Sequence, residues 1–77
     1  MKPTNLAHLG TGQTATITDI HVEEDLHHRL AAMGFRVGKQ IHIIRRAQFS
    51  GPLHVRIGTT ELMIRRCEAQ NINVLPV

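Results

Sequence analysis

Apolar positions along this chain switch from a period near 3.6 to a period of two, and glycines mark the switches. Leu26, Leu30 and Met33 recur at i, i+4 and i+7, the stripe of an amphipathic helix. Gly34 then stands where a helix end needs positive φ. Phe35 falls where a Schellman cap returns a hydrophobic contact to the third residue from the end, Leu30. The helix is therefore expected to stop at Met33. Val37-Gly38-Lys39 reads as a second turn, after which Ile41 and Ile43 alternate as a half-buried strand.

The remaining elements follow from the same two periods. A lead containing Leu6 and Leu9 runs into the turn Gly10-Thr11-Gly12, which opens a strand over 13–22 with Ala15 and Ile17 on one face. Glu23, Glu24 and Asp25 start the helix, where carboxylates oppose the positive end of its dipole. Strands are predicted over 40–47 and 53–57, joined through Ser50-Gly51-Pro52. A turn at Gly58-Thr59-Thr60 leads to strands over 61–66 and 71–75, and Pro76 suits the end of a final edge strand. The expected architecture is mainly β: a small five-stranded barrel with one short α-helix between the first two strands.

Composition narrows the class. The chain has 77 residues, enough for one domain, 1–77, with no linker, repeat or low-complexity tract. One cysteine, Cys67, excludes an internal disulfide, and no apolar run approaches the length of a membrane span. The N-terminal stretch has no apolar signal-peptide core, so a cytoplasmic location is expected. Nine Lys and Arg against six Asp and Glu give a charge of +3, which suits an acidic protein partner, an anionic membrane surface or weak nucleic-acid contact.

Four strings in order carry a family resemblance. They are Leu6-x-x-Leu9-x-x-Gly12-x-x-Ala15-x-Ile17, Arg29-Leu30-x-x-Met33-Gly34-Phe35-x-x-Gly38, Arg46-Ala47-x-x-x-Gly51-Pro52-x-x-Val55, and Arg65-Arg66-x-Glu68-Ala69-x-x-Ile72-x-Val74. Together they resemble the ferrous iron transport protein A family, the small cytoplasmic companion of the ferrous iron permease. The resemblance implies an SH3-like barrel and an accessory role in ferrous iron uptake. It also implies contact with the permease on its cytoplasmic side, at the G-domain region.

No catalytic constellation is visible: Ser50 is the only serine, and no G-x-S-x-G or phosphate-loop string occurs. Cys67 reads as a small, partly buried residue. The six histidines are the next candidates. Glu24 and His28 stand at i and i+4 on the helix with His21 nearby, a surface cluster to which Fe(II) or Zn(II) would bind weakly, with no tightly bound cofactor expected. A solvated helix face with an Asp25–Arg29 ion pair explains the same residues. His42 and His54 are placed by the strand register. If Ile41, Ile43, Leu53, Val55 and Ile57 point inward, His54 faces Arg46 and His42 faces Gly58. The two histidines then lie four positions apart along the sheet, roughly 13 Å at about 3.3 Å per residue, and cannot share one metal ion unless a bulge near Ile44 changes the count.

The same register predicts a docking surface. Arg46, His54 and Arg65 form a row across the outer face, with Arg56 paired to Met63 beside it, a basic surface with an apolar component that fits an acidic partner. Phe35 offers a second partner-binding candidate, although the cap geometry already gives its ring a place. A proline-peptide-reading SH3 domain is disfavoured because the chain has no Trp and no Tyr. A nucleic-acid-binding or metal-responsive regulatory module is the alternative. Phe35 and Phe49 alone are available for stacking on bases, so nucleic-acid binding is not expected.

Overall fold

A computed structural model describes residues 2–49 and 51–77, so the expected turn residue Ser50 lies outside the described residues. Helix α1 spans Glu24–Ala32, with Glu24 and Asp25 in its first turn and Arg29 in its last, each favourably placed on the helix dipole. Its end follows the Met33-Gly34-Phe35 string. The Gly34 N–H donates to the Ala31 carbonyl at 3.1 Å and the Phe35 N–H to the Leu30 carbonyl at 2.9 Å, the two bonds of a Schellman cap. Gly34 adopts φ +98°, and Leu30 and Phe35 are both buried.

Six strands form one antiparallel sheet. They are β1 (Thr4–Asn5), β2 (Thr14–Ile20), β3 (Gln40–Arg46), β4 (Leu53–Ile57), β5 (Thr60–Ile64) and β6 (Ile72–Pro76), in the order β1-β6-β2-β3-β4-β5. A 3-10 turn, Leu6–His8, follows β1, and a four-residue helix α2, Arg66–Ala69, separates β5 from β6. Inward alternation along the strands holds as expected. Ala15, Ile17, Ile41, Ile43, Leu53, Val55, Ile57 and Ile64 are all buried, together with Leu6 and Leu9, while Leu26 and Met33 pack partly buried against this core.

The expected five strands are thus six, and α1 lies between the second and third strands rather than the first and second. Two residues are too few to show a period, so β1 leaves no signature in the hydrophobic pattern. The last strand is not an edge: β6 lies between β1 and β2. Proline is tolerated at Pro76 because β1 reaches only as far as Val74 on that side. The edges are β1 and β5. The α2 segment carries a signal that a search for Ser or Thr caps passes over. Glu68 stands three residues after Arg65, and its Oε1 accepts the Arg65 backbone N–H at 3.2 Å, one half of a capping box.

Candidate partner-binding surface

The outer face of β2 to β5 is built by two rows of paired residues. Thr14 faces His42, His42 faces Arg56, and Arg56 faces Glu61. In the next row Arg45 faces His54 and His54 faces Met63. This differs from the expected row in two places, each with its own cause. The register shifts between Ile43 and Arg45, a bulge that leaves Ile44 without a partner and brings Arg45, not Arg46, opposite His54. Arg46 now pairs with Leu53 and turns toward the core side of the sheet, where its Nη1 donates to the Leu9 carbonyl and the residue is half-buried. Beyond β4 the loop has only the two residues Gly58 and Thr59, because Ile57 pairs with Thr60. That moves the register by two, so Met63 replaces Arg65 opposite His54, and Glu61 replaces Met63 opposite Arg56.

Arg65 instead occupies the cap position of α2 and is exposed. Phe35 is withdrawn from the surface altogether: it is 1% exposed, a core residue rather than a docking anchor. The face that remains still combines charge with an apolar element. Arg45 and Arg56 are exposed, and Met63 is 59% exposed beside them. The ion-pair contacts of carboxylates among the described residues are all to histidine: His54 Nε2 to Glu61 Oε1 at 3.0 Å, His21 Nε2 to Asp19 Oδ2 at 2.8 Å, and His28 Nε2 to Glu24 Oε1 at 3.9 Å. The expected Asp25–Arg29 pair is therefore not formed. Glu61 turns to His54 and leaves the guanidinium of Arg56 available to another partner.

A family model described as the FeoA domain matches residues 4–76, nearly the whole chain. The chain belongs to the FeoA family. Among solved structures, iron(II) transport protein A from Clostridium thermocellum is 34% identical with a TM-score of 0.89, covering 96% of this chain and 46% of that one. FeoA from Stenotrophomonas maltophilia complexed with zinc, described as a prokaryotic SH3 domain protein, is 24% identical over 92% of this chain and 88% of that one, with a TM-score of 0.79. A manganese-dependent transcriptional repressor is 21% identical over 97% of this chain and 42% of that one, with a TM-score of 0.87. At that identity the last two show the fold alone. This chain spans under half the length of the Clostridium protein and of the repressor. No curated protein matches it.

FeoA proteins are associated with ferrous iron transport, and histidine is the side chain here best suited to hold a transition metal. Among the described residues no three His, Cys, Asp or Glu side chains gather as a metal site. His21 turns to Asp19 while Glu24 and His28 approach one another, so the three expected ligands divide into two pairs. His42 and His54 are closer than expected. His42 faces Arg56, two residues from His54, which makes the two histidines diagonal neighbours in the sheet, roughly 7–8 Å apart along the backbone. Each already has another contact, His42 Nδ1 to Thr14 Oγ1 at 2.8 Å and His54 to Glu61. Cys67 is exposed rather than partly buried. The residues that sequence reasoning missed are Arg45 and Glu61, and the adjacent pair Ile43-Ile44 is the one sign of the bulge that brings Arg45 to the face.

Proposed function

We propose that this FeoA chain is a small accessory protein of ferrous iron uptake that works by contact with the cytoplasmic part of the ferrous iron permease, without turnover of its own. The observation that carries the reading, beside family membership, is a basic sheet face whose Arg45 and Arg56 lack carboxylate partners among the described residues and share the face with the exposed Met63. Unpaired guanidinium groups beside an apolar contact suit an acidic protein surface and steer its approach. No helix among the described residues is long and apolar enough to cross a membrane, so attachment to the permease would come through this contact. With Phe35 in the core, Phe49 is the remaining aromatic on the surface, too few for a base-stacking platform.

Reversing both arginines, Arg45→Glu and Arg56→Glu, tests this reading. Both side chains are exposed, so folding should persist, while binding to the permease's soluble cytoplasmic part should weaken on the order of tenfold or more, because like charges then face each other. Wild-type binding should also fall as salt rises, since charges are screened over about 10 Å at 0.1 M. Undiminished binding by a double variant with normal circular dichroism would move the docking surface elsewhere. Arg46 is unsuitable for this test because its bond to the Leu9 carbonyl makes it part of the fold.

Metal binding by the monomer should be weak. A selective site fixes three or four ligands, and the pairs Asp19–His21 and Glu24–His28 offer two each. Anaerobic calorimetry should detect no submicromolar Fe(II) site, and any Zn(II) effect should appear as association through Glu24 and His28. A tight one-to-one Fe(II) complex of the monomer would refute this.

A further inference from the structure

Phe49 combines two features that stability alone does not select. It is 98% exposed, and it is the one non-glycine residue with positive φ, +57°, among the described residues. A ring in water contributes nothing to the core, and a bulky L-residue in the left-handed region is strained. Such strain persists where a position serves something other than the fold. The described residues on either side of the ring are nonetheless bonded to one another. The Ala47 N–H donates to the Pro52 carbonyl at 3.1 Å, and the Gly51 N–H to the Gln48 carbonyl at 3.2 Å. Gly51 also packs so closely that a Cβ there would lie 2.6 Å from the Ala47 Cβ. The residues on both sides of the ring are thus tied to one another, which lowers the cost of ordering when a partner arrives.

Beside this loop, Gly51 and Pro52 form one wall of a groove completed by Arg65, Arg66, Cys67 and Gln70. Neither arginine has a carboxylate within ion-pair distance among the described residues, and the Nε of Arg66 is buried with no acceptor. Arg65 also lines a second cleft with Arg29 and Met63, where Glu23, Asp25 and Glu68 form the acidic side without reaching ion-pair distance of its guanidinium, so the positive side of the surface is the one that Arg65 shares with Arg66.

We propose that Phe49 and this groove are one docking surface, in which the Phe49 ring enters an apolar pocket of an acidic protein partner whose carboxylates meet Arg65 and Arg66. The proposal rests on the reading that the chain acts by contact with the permease; it adds the anchor residue and the chemistry of the surface that receives it. Charge complementarity selects the occupant. A second copy of this chain would bring the same arginines against each other unless its acidic segment around α1 were turned toward them.

The test measures affinity of the full chain for the permease's soluble cytoplasmic part, with Phe49→Asn, Phe49→Leu and Arg65→Glu. Asparagine is the residue after glycine that best accepts left-handed φ, so the melting temperature of Phe49→Asn should equal or exceed that of wild type. Its affinity should nevertheless fall about tenfold or more, the loss expected on truncating an aromatic anchor. Phe49→Leu, which keeps an apolar side chain, should lose about threefold or less, and Arg65→Glu should weaken binding while preserving the fold. Wild-type affinity in Phe49→Asn overturns the anchor and leaves the accessory role standing. Failure of the wild-type chain to bind the permease part overturns both. A concentration-dependent dimer that Phe49→Asn abolishes, seen by sedimentation, shows that the ring meets a second copy and overturns the assignment to an acidic partner.

Discussion

Phe35→Ala is expected to remove about 3–5 kcal/mol of folding stability, the usual cost of deleting a buried aromatic ring together with the cavity it leaves. Few other single changes in this chain should cost as much. The ring is 1% exposed and sits in the core beside Leu30, and its own backbone N–H closes the end of α1. A domain of 77 residues has in total only about 4–12 kcal/mol, at roughly 0.05–0.15 kcal/mol per residue. The loss is therefore comparable to the whole. Urea denaturation followed by circular dichroism should find the variant largely unfolded or with its midpoint sharply lowered. A midpoint close to wild type would mean that the ring does not fill the core as described.

Gly34→Val should come next. Gly34 lies at φ +98°, where an L-residue costs about 1–2 kcal/mol and a β-branched one more. Space at the Cβ itself is adequate, since the nearest atom, Ile57 Cγ2, is 3.4 Å away, but the two further methyl groups of valine extend beyond it. Backbone strain and crowding therefore act together. Comparing three variants separates them: Gly34→Asn should lose least, Gly34→Ala an intermediate amount, and Gly34→Val most. Thermal melts in which alanine and valine behave alike would leave the backbone as the whole cause, and an unchanged melting temperature in all three would remove the cap.

These two residues show what the chain discloses through its sequence. A Schellman cap is written in one short run, Leu30 to Phe35, in which the helix end, the glycine and the returning ring each have a local reason. Both hydrogen bonds and the burial of the ring are therefore legible in the residues alone. The face of each strand residue is legible for the same reason, because apolar residues at every second position decide which side is inside. Register is not. A shift of two residues keeps every inward residue inward, so the pattern around Leu62 and Ile64 is equally satisfied whether Arg56 faces Met63 or Glu61. The loop of Gly58 and Thr59 decides between them, and its length is a property of the turn rather than of the hydrophobic pattern. The bulge at Ile44 has the opposite effect: it changes the face itself, taking Arg46 from the outside to the Leu9 carbonyl and replacing it with Arg45. The general character of the face, basic with an exposed methionine, is unchanged by these shifts. The residues that compose it are different.

The place of β6 between β1 and β2 has a consequence for how the molecule is made. Thr4 pairs with Val74 and Ile17 also pairs with Val74, so the first and second strands are joined only through the last. During synthesis, everything up to α2 emerges while the gap between them is still empty. The α1 cap and the β3-β4-β5 meander depend on nearby residues and are free to form early. The sheet becomes continuous only when residues 72–76 clear the ribosome and close a loop of about seventy residues. Loop closure over that span costs little more than over half of it, but the search is slow. Until then the row of apolar side chains that β6 will cover stays open to chaperones and to other nascent chains.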